Sequence, residues 1–137
     1  MDKKYMYDNE RFIINGEPKI IGIVFEPNDS FDVNNLDIKD SFGKFYIDYN
    51  DIDDNVDSGD NDFLVFLNYI VTDTEDAKTP FSCRICMAAE VTVKDINNKD
   101  EILKVLVPEL IYEKMKVFYS DITSNSIFGE LSLPELK

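Results

Sequence analysis

From residue 81 to residue 93 the chain alternates strictly. Phe81, Cys83, Ile85, Met87, Ala89, Val91 and Val93 share one face of an extended strand; Ser82, Arg84, Cys86, Ala88, Glu90, Thr92 and Lys94 share the other. Residues 62–72 read differently. Phe63, Val65, Leu67, Tyr69 and Val71 point one way and Leu64, Phe66 and Ile70 the other, which predicts a strand buried on both faces. Two further strands are predicted, a β-branched run at 20–25 that ends at Pro27 and a segment at 44–50 around Phe45-Tyr46-Ile47-Asp48-Tyr49. The polar stretch 72–80 suits a hairpin connection. Asn15-Gly16 offers an extra hairpin between Phe12-Ile13-Ile14 and the first strand.

After Val93 the period changes. Residues 100–123 hold helix formers and no glycine, with Asn97 or Asn98 as a cap and Asp100 and Glu101 in the first turn. Pro108 divides this stretch into a short helix and a long one, since proline fits a first helical turn. On the long helix Leu110, Ile111, Met115, Val117, Phe118 and Ile122 form a stripe too broad for one neighbour. A break at 124–129 leads to Leu131-Ser132-Leu133-Pro134-Glu135-Leu136. The expected fold is α+β: a four-stranded antiparallel sheet followed by one long and one short helix.

Composition narrows the function. The 137 residues carry 14 basic and 28 acidic side chains, a net charge of −14, and no histidine. Nucleic acid is not an expected partner, because phosphate binding draws on Lys and Arg. Insertion into a membrane is not expected either, as apolar runs are short. The start Met-Asp-Lys-Lys-Tyr has no apolar stretch behind it and the chain has 2 cysteines, so a reducing cytosol is the expected location. The acid is concentrated at 28–62, where eleven aspartates face only Lys39 and Lys44.

Motifs with chemistry are few. Cys83-Arg84-Ile85-Cys86 has metal or redox spacing, but inside a strand positions three apart face opposite sides, so the thiols point apart. The run from Asp53 to Asp62 resembles a calcium loop, with Ser58 and Leu64 where Gly and Glu belong. It reads as a solvated connector, with a calcium-responsive module as a remote alternative. No phosphate loop and no activated nucleophile is visible, so neither an enzyme nor a cofactor is expected. The remaining clue is surplus apolar surface. A sheet with one helix layer covers one face, so the second face of strand 62–72 needs another subunit or a partner chain, unless residues 1–15 fold back over it.

Four segments, in order, resemble the SecB-type chaperones. Ile23-Val24-Phe25-Glu26-Pro27-Asn28 is similar to that family's first strand and its ending. Residues 44–72 match a strand, an acidic connector and a second strand, and Thr79-Pro80-Phe81-Ser82-Cys83 opens the fourth strand. Leu106-Val107-Pro108, a long helix, and Phe128-Gly129-Glu130-Leu131-Ser132-Leu133-Pro134 complete the likeness. It spans roughly residues 20–136, giving a SecB-like domain at 20–137 behind an amino-terminal extension or extra hairpin at 1–19. The chain departs from the family in a longer helix, in Gly129 where proline is typical, and in a truncated second helix.

The resemblance implies a holdase that takes unfolded or precursor polypeptides into apolar grooves and assembles as a homodimer or homotetramer. Expected lining residues are Phe25, Phe45, Ile47, Phe66, Leu110, Met115, Phe118 and Phe128, because methionine and aromatics adapt to varied sequences. The family docks the SecA motor on an acidic sheet face; Glu26 matches one of its carboxylates, while Arg84 opposes such docking. The alternative is a non-catalytic adaptor of the same fold with one specific partner.

Overall fold

The computed structural model describes residues 5–27, 43–52, 62–72, 81–126 and 129–136. These form one antiparallel sheet with a long helix on one face. The strands are β1 (Tyr5–Asp8), β2 (Phe12–Asn15), β3 (Lys19–Pro27), β4 (Gly43–Asp51), β5 (Asp62–Val71) and β6 (Phe81–Val93). The sheet therefore has six strands rather than four. β6 is the centre, with β5 and then β4 on one side and β2 and β3 on the other.

The two extra strands come from the leading segment, and their arrangement differs from the expected hairpin at Asn15-Gly16. β2 and β3 both run antiparallel to β6, with Phe12 opposite Val93 and Lys19 opposite Ala88. They are two halves of one edge strand. Gly16, at φ +80°, and Pro18 interrupt it rather than reverse it. The reversal lies earlier, where Asn9 Oδ1 accepts from the N–H groups of Arg11 and Phe12 at 2.7 and 2.9 Å. β1 then pairs with β2, and the Tyr7 and Phe12 rings stack 5.4 Å apart.

A 3₁₀ turn (Ile96–Asn98) and the single turn α1 (Lys99–Glu101) lead through a π-helical segment (Ile102–Leu106) into α2 (Val107–Ser124). Pro108 does not divide two helices. It sits in the first turn of α2, where its missing N–H costs little, and the wider π spacing immediately precedes it. Ile111, Met115, Tyr119 and Thr123, four residues apart, are buried along one stripe. They meet the alternating core face of Val65, Leu67, Tyr69, Cys83, Ile85 and Met87. No second helix follows among the described residues. Gly129, at φ +74°, turns the chain into an extended tail, 129–136.

The expectation that 62–72 is buried on both faces holds for one face only. On the helix side every alternate residue of β5 is buried; on the reverse side Leu64, Phe66, Asn68 and Ile70 are half-exposed. The leading hairpin widens the sheet at its edge and leaves this reverse face uncovered among the described residues.

Candidate functional site

The tail forms one wall of a surface notch. Leu133 is buried in the core, and Leu131 and Leu136 pack against it. Two short polar contacts hold the tail to α2, beside a longer one at 3.4 Å from the Thr123 hydroxyl to the Leu131 carbonyl. The N–H of Leu131 donates to Thr123 Oγ1 at 2.8 Å, and the Tyr112 hydroxyl donates to the carbonyl of Pro134 at 2.6 Å. Burial raises the Tyr112 hydroxyl above its ordinary pKa against the opposing effect of Lys116, while the Glu113 and Glu135 carboxylates raise it further, so it stays a donor. Thr123 is the one buried polar side chain among the described residues, and its hydroxyl donates to the Tyr119 carbonyl at 2.8 Å.

The opposite wall is β4. Gly43, Lys44, Phe45 and Tyr46 face Pro134 and Glu135 across a notch of about 350 Å³. Gly43 is required there. A Cβ at this position would run into the Tyr69 ring, which is itself pinned between Phe45 and Tyr119 at 4.9 and 5.6 Å. The Phe45 ring also meets the edge of Tyr112 at 5.6 Å. Beside it Tyr46 and Ile47 are 53% and 38% exposed. β4 is the last strand on its side among the described residues, so its outer N–H and C=O groups present a template for an extended chain.

The expected lining residues do not converge on one groove. Phe45 lines the notch, and Ile47 lies two residues along the same face of β4, outside that lining. Phe25 lies on the helix side of β3, its ring 4.7 Å from Phe81. Leu110 and Phe118 lie with Lys114 along one flank of α2, and the Lys114–Glu17 ion pair at 3.6 Å turns that flank toward the leading edge of the sheet. Phe66 is on the reverse face, as is exposed Glu26 opposite Ser82. Met115 is fully buried beneath α2. Phe128 and the calcium-like loop at 53–60 lie outside the described residues. Tyr46, Tyr112 and Pro134 escaped the sequence reading. Tyr112 carried one signal, a polar-tipped aromatic at the margin of the apolar helix stripe.

The cysteines stand as the alternation requires. Cys83 is buried on the core face, and Cys86 is half-buried on the reverse face. Burial pushes the Cys83 thiol up to about 12, and it raises Cys86 as well, with Arg84 opposing. Iodoacetamide at about pH 8.5 is therefore expected to label Cys86 and spare Cys83 in the folded chain, read by mass spectrometry of the digest. A raised folded pKa contributes stability that is complete below the ordinary 9.0 and is lost as pH climbs toward about 12. The unfolding free energy should fall with that titration, at most about 1.4 kcal/mol per pH unit. No group of three or more metal-ligating side chains occurs among the described residues, and none of their helices is long and apolar enough to cross a membrane.

No family model matches the sequence, and no curated protein does. The fold does have a solved counterpart. The Mycobacterium tuberculosis Rv1957 SecB-like chaperone, in complex with a ChAD peptide from the Rv1956 HigA1 antitoxin, superimposes with a TM-score of 0.57. The match covers 93% of this chain and 91% of that one at 10% identity. The chain thus has a SecB-like fold, with an antiparallel sheet and one long carboxy-terminal helix.

Proposed function

We propose that this chain is a SecB-like chaperone or adaptor that binds extended, non-native polypeptide along β4, without bond-making chemistry, in the cytosol and as a homodimer or homotetramer. The observation that carries this reading is the notch between β4 and the tail. Phe45 and exposed Tyr46 line it, exposed Ile47 follows on the same strand, and the outer backbone of β4 has no strand beside it among the described residues. Backbone pairing along β4 supplies affinity without regard to client sequence, and the notch takes alternate side chains. Asp48 and Asp51 on β4, within a chain of net charge −14, favour basic client segments and keep loaded complexes soluble.

Light scattering of a refolding client tests the proposal. Several-fold excess of the protein should suppress aggregation. Ile47→Asp, at an exposed position that leaves the core intact, should weaken capture about tenfold, the scale for losing one apolar anchor. Absence of suppression by the unaltered chain counts against the reading.

A second reading is an adaptor for one partner. Its support is that the structural neighbour holds a peptide from a single antitoxin. A pull-down returning one stoichiometric protein, rather than a smear of unfolded chains, would favour it.

A further inference from the structure

One backbone bond fixes which groups β4 turns outward. The N–H of Ile52 donates to the carbonyl of Asp62 at 2.9 Å. These two residues stand directly opposite, one step beyond Asp51 and Phe63 in the β4–β5 register. In an antiparallel ladder, bonds between directly opposite residues recur at every second pair. Asn50, Asp48, Tyr46 and Lys44 therefore bond to β5, while Tyr49, Ile47 and Phe45 turn their N–H and C=O groups to the outer edge. One of these outer donors is already engaged: the N–H of Tyr49 donates to Asp48 Oδ1 at 2.9 Å. The Asp48 carboxylate thus guards the edge against a strand that has nothing to offer it.

The side chains sort by the same count. Phe45 and Ile47 stand opposite Tyr69 and Leu67 on the helix face; Lys44, Tyr46 and Asp48 stand opposite Ile70, Asn68 and Phe66 on the reverse face. A strand added outside β4 exchanges backbone bonds with Phe45 and Ile47. It meets Lys44, Tyr46 and Asp48 at the unbonded positions, where opposite side chains come closest. Lys44 and Asp48 are both exposed, opposite in sign and about 13 Å apart along the strand. Every strand pairing in the sheet is antiparallel, so an added strand continues the same pattern.

We propose that β4 reads its client in one direction and one register: an extended segment antiparallel to β4, with a basic residue opposite Asp48 and an acidic residue four positions later opposite Lys44. This rests on the reading of β4 as the client strand and names the client class. Between the two charges, apolar residues fall opposite Ile47 and Phe45 on the helix face, the second of them at the notch, and a β-branched residue falls opposite the Tyr46 ring. The basic residue draws the Asp48 carboxylate across and frees the Tyr49 N–H for the client backbone. A one-residue slip sends both charges to the helix face, away from Lys44 and Asp48, so the pair of charges holds the register.

The test is fluorescence anisotropy with two labelled synthetic peptides, Arg-Ile-Thr-Ile-Glu and Glu-Ile-Thr-Ile-Arg, set between identical Gly-Ser flanks. They share composition and net charge, so general attraction to a chain of charge −14 is the same for both. At low salt the first should bind about tenfold tighter, since two opposite-charge pairs replace two like-charge pairs. The double variant K44E/D48K should invert the order, an effect that folding damage cannot produce. Asp48→Ala should hold the uncharged peptide Gln-Ile-Thr-Ile-Gln about fivefold tighter than the unaltered chain does, because the Tyr49 donor is then free; no gain would overturn the guarding role. Equal binding of the two charged peptides overturns the register and leaves β4 as the client strand. A preference of the unaltered chain for the second peptide means parallel alignment and overturns the direction. An order that K44E/D48K does not invert, or binding of neither peptide, overturns the register and the β4 reading together.

Discussion

Met115→Ala is expected to lower the unfolding free energy by about 2–5 kcal/mol, the range for truncating a fully buried methionine, while leaving client capture per folded molecule unchanged. Sequence alone places Met115 among polypeptide-lining residues, since it sits in a broad apolar stripe of a long helix. In the fold it is 0% exposed and one helical turn from Ile111 and Tyr119, which are buried with it against β5 and β6. Removing its thioether leaves a cavity that α2 cannot close, because the stripe is held at both ends. Urea denaturation reads the first effect through a lower midpoint at unchanged slope. Capture is then measured well below that midpoint. Loss of capture with unchanged stability would return Met115 to the client surface.

Leu133→Asp is expected to detach the tail and lower client capture by about tenfold or more. Leu133 is only 7% exposed and is the tail residue that joins the core. A carboxylate cannot remain there unpaired, because its desolvation costs several kcal/mol. The contacts left to hold the segment are the partly buried Leu131 and Leu136 and two hydrogen bonds, Leu131 N–H to Thr123 and the Tyr112 hydroxyl to Pro134, each of which contributes only about 1 kcal/mol. Release therefore costs less than burial, and the tail leaves. The notch then loses Pro134 and Glu135, one of its two walls. Limited proteolysis should cut the variant faster beyond Gly129 while far-UV circular dichroism stays near the original signal. A released tail with capture intact would move the client surface away from β4.

These two residues also show where sequence reading runs out. Periodicity identified Met115 as apolar and helical, but the stripe on α2 spans nearly half the helix girth. Pattern alone cannot tell which third of it meets the sheet. That choice is made by β5 and β6, which lie far away in the chain and draw Ile111, Met115 and Tyr119 inward. Leu110 and Phe118 are left on the flank. Leu133 read as part of a small apolar terminus with no partner in view. Its partner is the core beneath a helix that ends nine residues earlier.

β6 stands at the other extreme. Its alternation from Phe81 to Val93 alone determined that it is a strand, which face is core, and that Cys83 and Cys86 point apart. A period of two leaves no freedom once one face is buried. The same alternation in residues 62–72 determined the core face of β5, and the run of helix formers after Asp100 determined α2. Tertiary structure alone decided the rest. It set β2 and β3 end to end along β6, made β3 and β4 the margins of the sheet, and left the reverse face of β5 half-open. Side-chain pattern reports which face of a strand is apolar, whereas strand order depends on backbone pairing between distant segments, to which every sequence contributes the same N–H and C=O groups.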